Sequence, residues 1–147
     1  MRNKIALMLA IIMIMSCMSL TTLAVGRNHY DLYIDRASCR VHVYYNDQWL
    51  KVMVCDVGKP STPTPKGTFY TGASGFSFGM EKGYMCKYAT VITGNYLFHT
   101  VIFDRTGKYI TDGRLGMQIS HGCVRLAVAD AQWICNNIPR GTKVSIR

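Results

Sequence analysis

The chain has 147 residues, of which 49% are hydrophobic, and its 17 Lys and Arg against eight Asp and Glu give a formal net charge of +9. Apart from an N-terminal leader this length supplies one small domain with a single core and leaves no room for two. The positive charge favours an anionic partner, although it also serves solubility alone.

Residues 1–24 open with Arg2 and Lys4, continue through an uncharged apolar run over 5–15, and end in Thr22-Leu23-Ala24. A basic start, an apolar middle and small residues at the end are the pattern of a signal peptide, here cleaved after Ala24. Residues 5–26 carry no charge, and about 20 apolar residues span a bilayer, so an uncleaved helical anchor fits as well. Ile14-Met15-Ser16-Cys17 also resembles a lipoprotein cleavage site. All three readings put the rest of the chain outside the cytoplasm and confine membrane contact to this segment. The exported part keeps 15 basic and eight acidic residues, a charge of +7. Export argues against nucleic acid as its partner, and an anionic cell wall fits.

Beyond the leader the pattern is strand-like. Val, Ile, Tyr, Phe and Trp dominate residues 30–34, 40–45, 49–57, 69–71, 84–92, 96–103 and 143–146, as β-propensity requires. Turn signals stand between them at Asn46-Asp47, Gly94-Asn95, Thr106-Gly107 and Asp112-Gly113. Residues 58–67 hold three of the four prolines and predict a rigid, extended connector. Residues 72–83 contain four glycines with Phe76, Phe78 and Met80, and fit either a mobile flap or an irregular surface loop. One helix is predicted over 128–138, with Val128, Trp133, Ile134 and Ile138 on its buried face, Ala127 as a poor cap, and Pro139 ending it. The expected fold is mainly β, sandwich-like or a curved sheet, with one short C-terminal helix after the hydrophobic leader helix.

Cys39, Cys55, Cys86 and Cys135 form an even set that allows up to two disulfides in an exported domain. A hairpin turning at Asn46-Asp47-Gln48 would oppose Tyr45 to Trp49 and, counting back, Cys39 to Cys55. None of the four has the Cys-x2-Cys spacing of a zinc site.

The richest stretch is Ser120-His121-Gly122-Cys123-Val124-Arg125-Leu126. A cysteine attacks as its thiolate, and an imidazole commonly generates one at neutral pH. Two imidazoles are candidates for partnering Cys123. His99 lies on a predicted strand that would hold a base rigidly. His121 is two residues away and shares a face with Cys123 if the segment is extended. Chemistry alone does not choose between them. Gly122 permits a tight bend, and the amides around it would suit an oxyanion hole. Arg125 suits two-point capture of a carboxylate. Ser120 would bond within the pocket or shape the turn. Tyr84, Tyr88 and Trp133 read as packing residues, and His29 and His42 as surface residues.

Taken together, these residues resemble the L,D-transpeptidase catalytic domain of the YkuD type over residues 28–147. The likeness rests on Thr62-Pro63-Thr64-Pro65-Lys66-Gly67-Thr68-Phe69, on Phe98-His99, and on the string from Ser120 to Leu126. Two departures stand out: the 20 residues between His99 and Ser120 are more than is usual, which an extra turn over 104–112 would absorb, and Thr100 stands where Gly or Ser is common. The resemblance implies Cys123 as nucleophile and His99 as base and proton donor. It places His121 and Gly122 in the pocket and oxyanion hole, and Ser120, Arg125 and Thr100 at the substrate, with a backbone carbonyl near Thr100 orienting His99. It implies no cofactor and no metal. The substrate would be peptidoglycan: a tetrapeptide stem as acyl donor, attacked before its terminal D-alanine, and an amine of a second stem as acceptor, giving a 3→3 cross-link. Carbapenems would acylate the same cysteine. An L,D-carboxypeptidase passing the thioester to water, and a non-catalytic wall-binding module, are the rival readings.

Overall fold

The computed structural model describes residues 28–147; the leader expected at 1–24 lies outside them. Twelve strands, β1 (Tyr30–Asp35), β2 (Arg40–Tyr45), β3 (Gln48–Gly58), β4 (Gly67–Tyr70), β5 (Ser74–Phe78), β6 (Tyr84–Thr93), β7 (Tyr96–Thr100), β8 (Ile102–Asp104), β9 (Ile110–Asp112), β10 (Gln118–Ser120), β11 (Val124–Leu126) and β12 (Lys143–Ile146), accompany one helix, α1 (Val128–Asn137). The main path runs β4-β12-β1-β2-β3-β11-β7-β6-β8-β9, with β10 added to β3 and β5 to β6. The domain is mainly β with one short helix, as expected.

The alternation of the sequence sets the buried side. Leu32, Ile34, Val41, Val43, Met53, Cys55 and Val57 point inward from β1 to β3, and join Phe98, Val124, Leu126, Ala131, Ile134, Val144 and Ile146 in one core. Helix α1 covers β6, β7 and β11. Its buried residues are Ala131 and Ile134. Trp133 is only partly buried, edge-on to Tyr30 and beneath the Lys51 ammonium.

The β2–β3 turn differs from expectation. Asn46 and Asp47 alone make it, both with positive φ (49° and 63°), the two-residue hairpin geometry that matches strand twist. Tyr45 therefore faces Gln48, not Trp49. A bulge between Val43 and Tyr44 then shifts the register, so that Arg40 faces Val54, and the Cys55 N–H donates to the Cys39 carbonyl at 3.0 Å. The two cysteines are opposed, but by a different count. They are free thiols, as are Cys86, Cys123 and Cys135. Cys39 has left the extended region (φ 55°), and its Sγ turns to the Arg36 carbonyl at 3.6 Å.

Two further segments depart from the sequence reading. Residues 72–83 are not an irregular loop: β5 pairs with β6 through two register shifts, and a single 3-10 turn, Met80–Lys82, follows it. The strand expected over 96–103 breaks at Val101, whose N–H donates to the Leu126 carbonyl at 2.8 Å. Its second half, β8, pairs with β9 and with β6 instead of continuing along β11. The long interval after His99 is thus the β8–β9 hairpin and the connection to β10.

Candidate active site

β7 and β11 run parallel, with Val124 beside Phe98 and Arg125 beside His99. Val124 and Phe98 are fully buried in the core. Because side chains alternate along a strand, Arg125 and His99 take the opposite face. Cys123 precedes β11 on that same face. With Phe78, Tyr84, Cys86, Ile102, Asp112, Arg114, Ile119, Ser120 and His121, these residues line a cavity of about 380 Å³.

His99 is 6% exposed. Its Nδ1 lies 2.7 Å from the Thr100 carbonyl. A carbonyl only accepts, so Nδ1 carries the proton and Nε2 holds the lone pair. The Phe78 ring stands edge-on to the imidazole at 5.2 Å. Burial lowers the His99 pKa to about 4; Arg125 adds to this, and the Thr100 carbonyl opposes it. The Cys123 Sγ donates to the Asn95 carbonyl at 3.5 Å. Burial pushes the thiol up from its ordinary value, while the Leu97 N–H and Arg125 restrain it. Both shifts favour a neutral thiol and a neutral imidazole at neutral pH.

The turn that presents Cys123 is tied down by Ser120. Its Oγ donates to the Cys123 carbonyl at 2.6 Å and accepts from the Gly122 N–H at 3.0 Å. The Gly122 amide, expected among those of an oxyanion hole, is thus engaged by Ser120. Gly122 has φ 113°, and a Cβ there would stand 2.5 Å from Tyr96, so only glycine fits. Thr100, expected at the substrate, is fully buried. It stands behind His99 and acts through its carbonyl, while its Oγ1 accepts from the Lys87 N–H at 3.0 Å. His121 is exposed at the mouth. Tyr84, expected as a packing residue, lines the cavity.

The proline-rich connector braces this turn. Thr64 is fully buried; its Oγ1 accepts from the Gly58 N–H and donates to the Gly122 carbonyl, both at 2.8 Å. The Lys59 N–H reaches the Ser120 carbonyl at 3.0 Å, and Thr62 Oγ1 joins it at 3.3 Å. A Cβ on Gly58 would lie 2.2 Å from the Thr62 carbonyl oxygen. The bracing role of Thr64 was not assigned from sequence, although the Thr-Pro-Thr-Pro run carried the signal.

Arg125 is 7% exposed. Its Nη1 pairs with Asp56 Oδ2 at 3.3 Å and Asp112 Oδ2 at 3.0 Å. Asp56 is fully buried, which pushes its carboxyl up, against the Met117 N–H and Arg125. Asp112, at the end of β9, is gripped by Arg114 through two contacts of 2.9 Å and is held well below the usual carboxylate range. The buried Nε of Arg125 has no partner among the described residues; an unsatisfied buried donor costs about 1–3 kcal/mol. Asp56, Asp112 and Arg114 were missed because no local spacing links them to position 125.

These residues form a mainly β domain that presents a braced cysteine and a strand-held histidine to one cavity. The chain belongs to the L,D-transpeptidase catalytic domain family, whose model matches residues 29–146. It is 43% identical over 89 residues to "Putative L,D-transpeptidase YciB" of Bacillus subtilis, covering 56% of this chain and 46% of that protein. It is 24% identical over 132 residues to L,D-transpeptidase 1 of Mycobacterium tuberculosis, covering 79% and 51%. The chain thus spans about half the length of these curated relatives. Among solved structures it resembles a fused Zn-dependent amidase/peptidase/peptidoglycan-binding domain-containing protein of Clostridium acetobutylicum, with TM-score 0.66 and 36% identity over 80% of this chain and 51% of that one. An L,D-transpeptidase in complex with imipenem shares the fold, with TM-score 0.66 and 20% identity over 82% of this chain and 59% of that one.

Proposed function

We propose that this L,D-transpeptidase domain is exported by its leader and forms 3→3 cross-links in peptidoglycan through a thioester on Cys123. The observation that carries the reading is the placement of His99 on β7 and of Cys123 just before the parallel β11, both lining one cavity, with His99 Nδ1 anchored so that Nε2 is left as base.

In the first step Sγ attacks the carbonyl of the third stem residue while Nε2 of His99 takes its proton. The tetrahedral oxygen is met by the His121 and Cys123 amides; one such donor supplies about 3 kcal/mol. His99 then gives the proton to the amine of the terminal D-alanine, the C–N bond breaks, and D-alanine departs. In the second step the amine of another stem attacks the thioester, His99 accepts its proton, and the thiol is restored. Arg125 holds a carboxylate of the stem. The surplus positive charge favours residence on an anionic wall, and a carbapenem would open on Cys123 as the donor does. The imipenem complex of a fold relative is consistent with this.

Intact-mass measurement after meropenem treatment should show one adduct, lost in Cys123→Ala; no adduct on the wild type would sink the thioester. Purified tetrapeptide stems should yield dimers when an acceptor amine is present. Accumulation of trimmed tripeptide alone would instead make the domain an L,D-carboxypeptidase.

A further inference from the structure

We propose that Cys39 and Cys55 are a site of oxidative modification, and that the disulfide formed there staples the turn over residues 36–39 to β3, behind the nucleophile turn. It goes beyond the transpeptidase reading, because the chemistry at Cys123 uses neither thiol.

The strand register carries the inference. Val41 and Met53 face each other across β2 and β3, both buried. Arg40 and Val54 come next, with Val54 exposed. One step further stand Cys39 and Cys55, joined by the Cys55 N–H to the Cys39 carbonyl at 3.0 Å, and both side chains belong to the core. Opposed residues of a hydrogen-bonded antiparallel pair lie about 5.5 Å apart at Cα, and a disulfide spans about 4.4–6.8 Å. Cys86 faces Phe78 instead, and Cys135 lies on α1. Among the described residues no other two cysteines are opposed across strands.

Bond formation displaces little. The Cys39 Sγ–H gives up a weak contact to the Arg36 carbonyl at 3.6 Å, which keeps the Gln118 Nε2 at 3.2 Å. Burial pushes both thiols up, and at Cys55 the neighbouring Cys39 adds to this. Exchange proceeds through the thiolate, so the bond closes while the hairpin is forming, before burial. One cysteine attacks the disulfide of a thiol oxidoreductase or of glutathione, and the other displaces the resulting mixed disulfide. The Cys39–Cys55 bond forms, the acceptor's S–S bond breaks, and its two sulfurs leave as thiols with the two protons. Outside the cytoplasm, where the export proposed above puts the domain, such acceptors are supplied.

The stapled segments both support the nucleophile turn. Arg36 Nη1 donates to the carbonyl of Thr64, the residue whose hydroxyl holds Gly122. Gln118 opens β10, which ends on Ser120. The Cys55 carbonyl accepts from the Gly116 N–H at 3.1 Å.

The test refolds the full chain from urea in oxidised glutathione or in dithiothreitol. Samples are acid-quenched, alkylated in urea and digested without reduction. After oxidised glutathione, the peptides carrying Cys39 and Cys55 should be joined, two hydrogens lighter than the separate thiols, and Cys123 should be joined to no other cysteine of the chain. The thermal midpoint should exceed that of the dithiothreitol sample by about 5–10 °C, a gain absent from Cys39→Ala and Cys55→Ala. Alkylation of both residues, or their joining to other cysteines, overturns the pairing. A joined pair with an unchanged midpoint overturns the staple. If the alanine variants do not fold, the peptide map and the wild-type midpoints decide. Meropenem adducts on reduced samples read Cys123 separately: their absence would overturn the thioester and leave the staple standing.

Discussion

At the scale of single residues, the site works with neutral partners. The folded-state value of about 4 for His99 lies below the ordinary 6.5, so the imidazole stays an available base well into acid. The acid limb of kcat/KM is expected near pH 4. Phe78→Ala would admit water beside the ring, raise this value toward 6.5 and move the limb up; an unchanged profile would show that Phe78 does not control it. Replacement of His99 by Gln should lower kcat by about 10²–10⁴-fold. The same burial has a stability cost. Between about pH 6.5 and 4 the unfolded chain binds a proton at position 99 that the folded one refuses. Stability therefore falls as pH drops through that window and is level above it, by on the order of 3 kcal/mol in all. Urea midpoints at pH 7 and 4.5 should show the drop in the wild type and a smaller one in His99→Gln. Gly122→Ala, which meets both a positive φ and the Tyr96 ring, should cost about 1–3 kcal/mol and abolish turnover.

Among the elements, the proline-rich connector matters most. It reaches across 58 residues of sequence to hold the nucleophile turn through a single hydroxyl. Thr64→Val should lose both hydrogen bonds, lowering stability by about 1–3 kcal/mol and turnover by more than stability alone explains; Thr64→Ser should restore most of each. Thermal midpoints and kcat measured side by side separate the two effects. The sequence made this connector visible as a stiff segment and the Ser120–Leu126 string as chemistry. It did not show that one bolts the other, because side-chain-to-backbone bonds leave no periodic trace. Strands β1, β2, β3, β6, β7 and β12 were legible from their β-branched and aromatic content over four or more residues. The three-residue strands β9 to β11 were not, being shorter than any pattern can report, and β8 was read only as the end of β7. The bulge between Val43 and Tyr44 was likewise invisible, although Cys39 and Cys55 beyond it were placed opposite one another. For Thr100 the expected carbonyl contact to His99 is present at 2.7 Å, whereas its burial, which takes its side chain away from the cavity, left no trace in the sequence.

For the whole molecule, the charge of +7 over residues 25–147 predicts salt-dependent binding to isolated cell walls. Raising NaCl from 50 to 500 mM should release most of the protein if attraction to anionic polymer dominates. Retention at high salt in Cys123→Ala would indicate instead that stem peptides in the cavity hold it.

The parallel pairing of β1 with β12 carries a different consequence. Tyr33 and Ile34 lie beside Ser145 and Ile146, and the first strand has its second neighbour only there. A chain emerging from a ribosome or a translocation channel, N-terminus first, cannot complete its central sheet until the last strand arrives. Contacts of such long sequence separation also form slowly. Under the export proposed above, the domain would therefore remain unfolded and threadable during passage, and fold only once its last strand had crossed. Trimming of residues 143–147 should leave a protease-sensitive chain with no protected nucleophile.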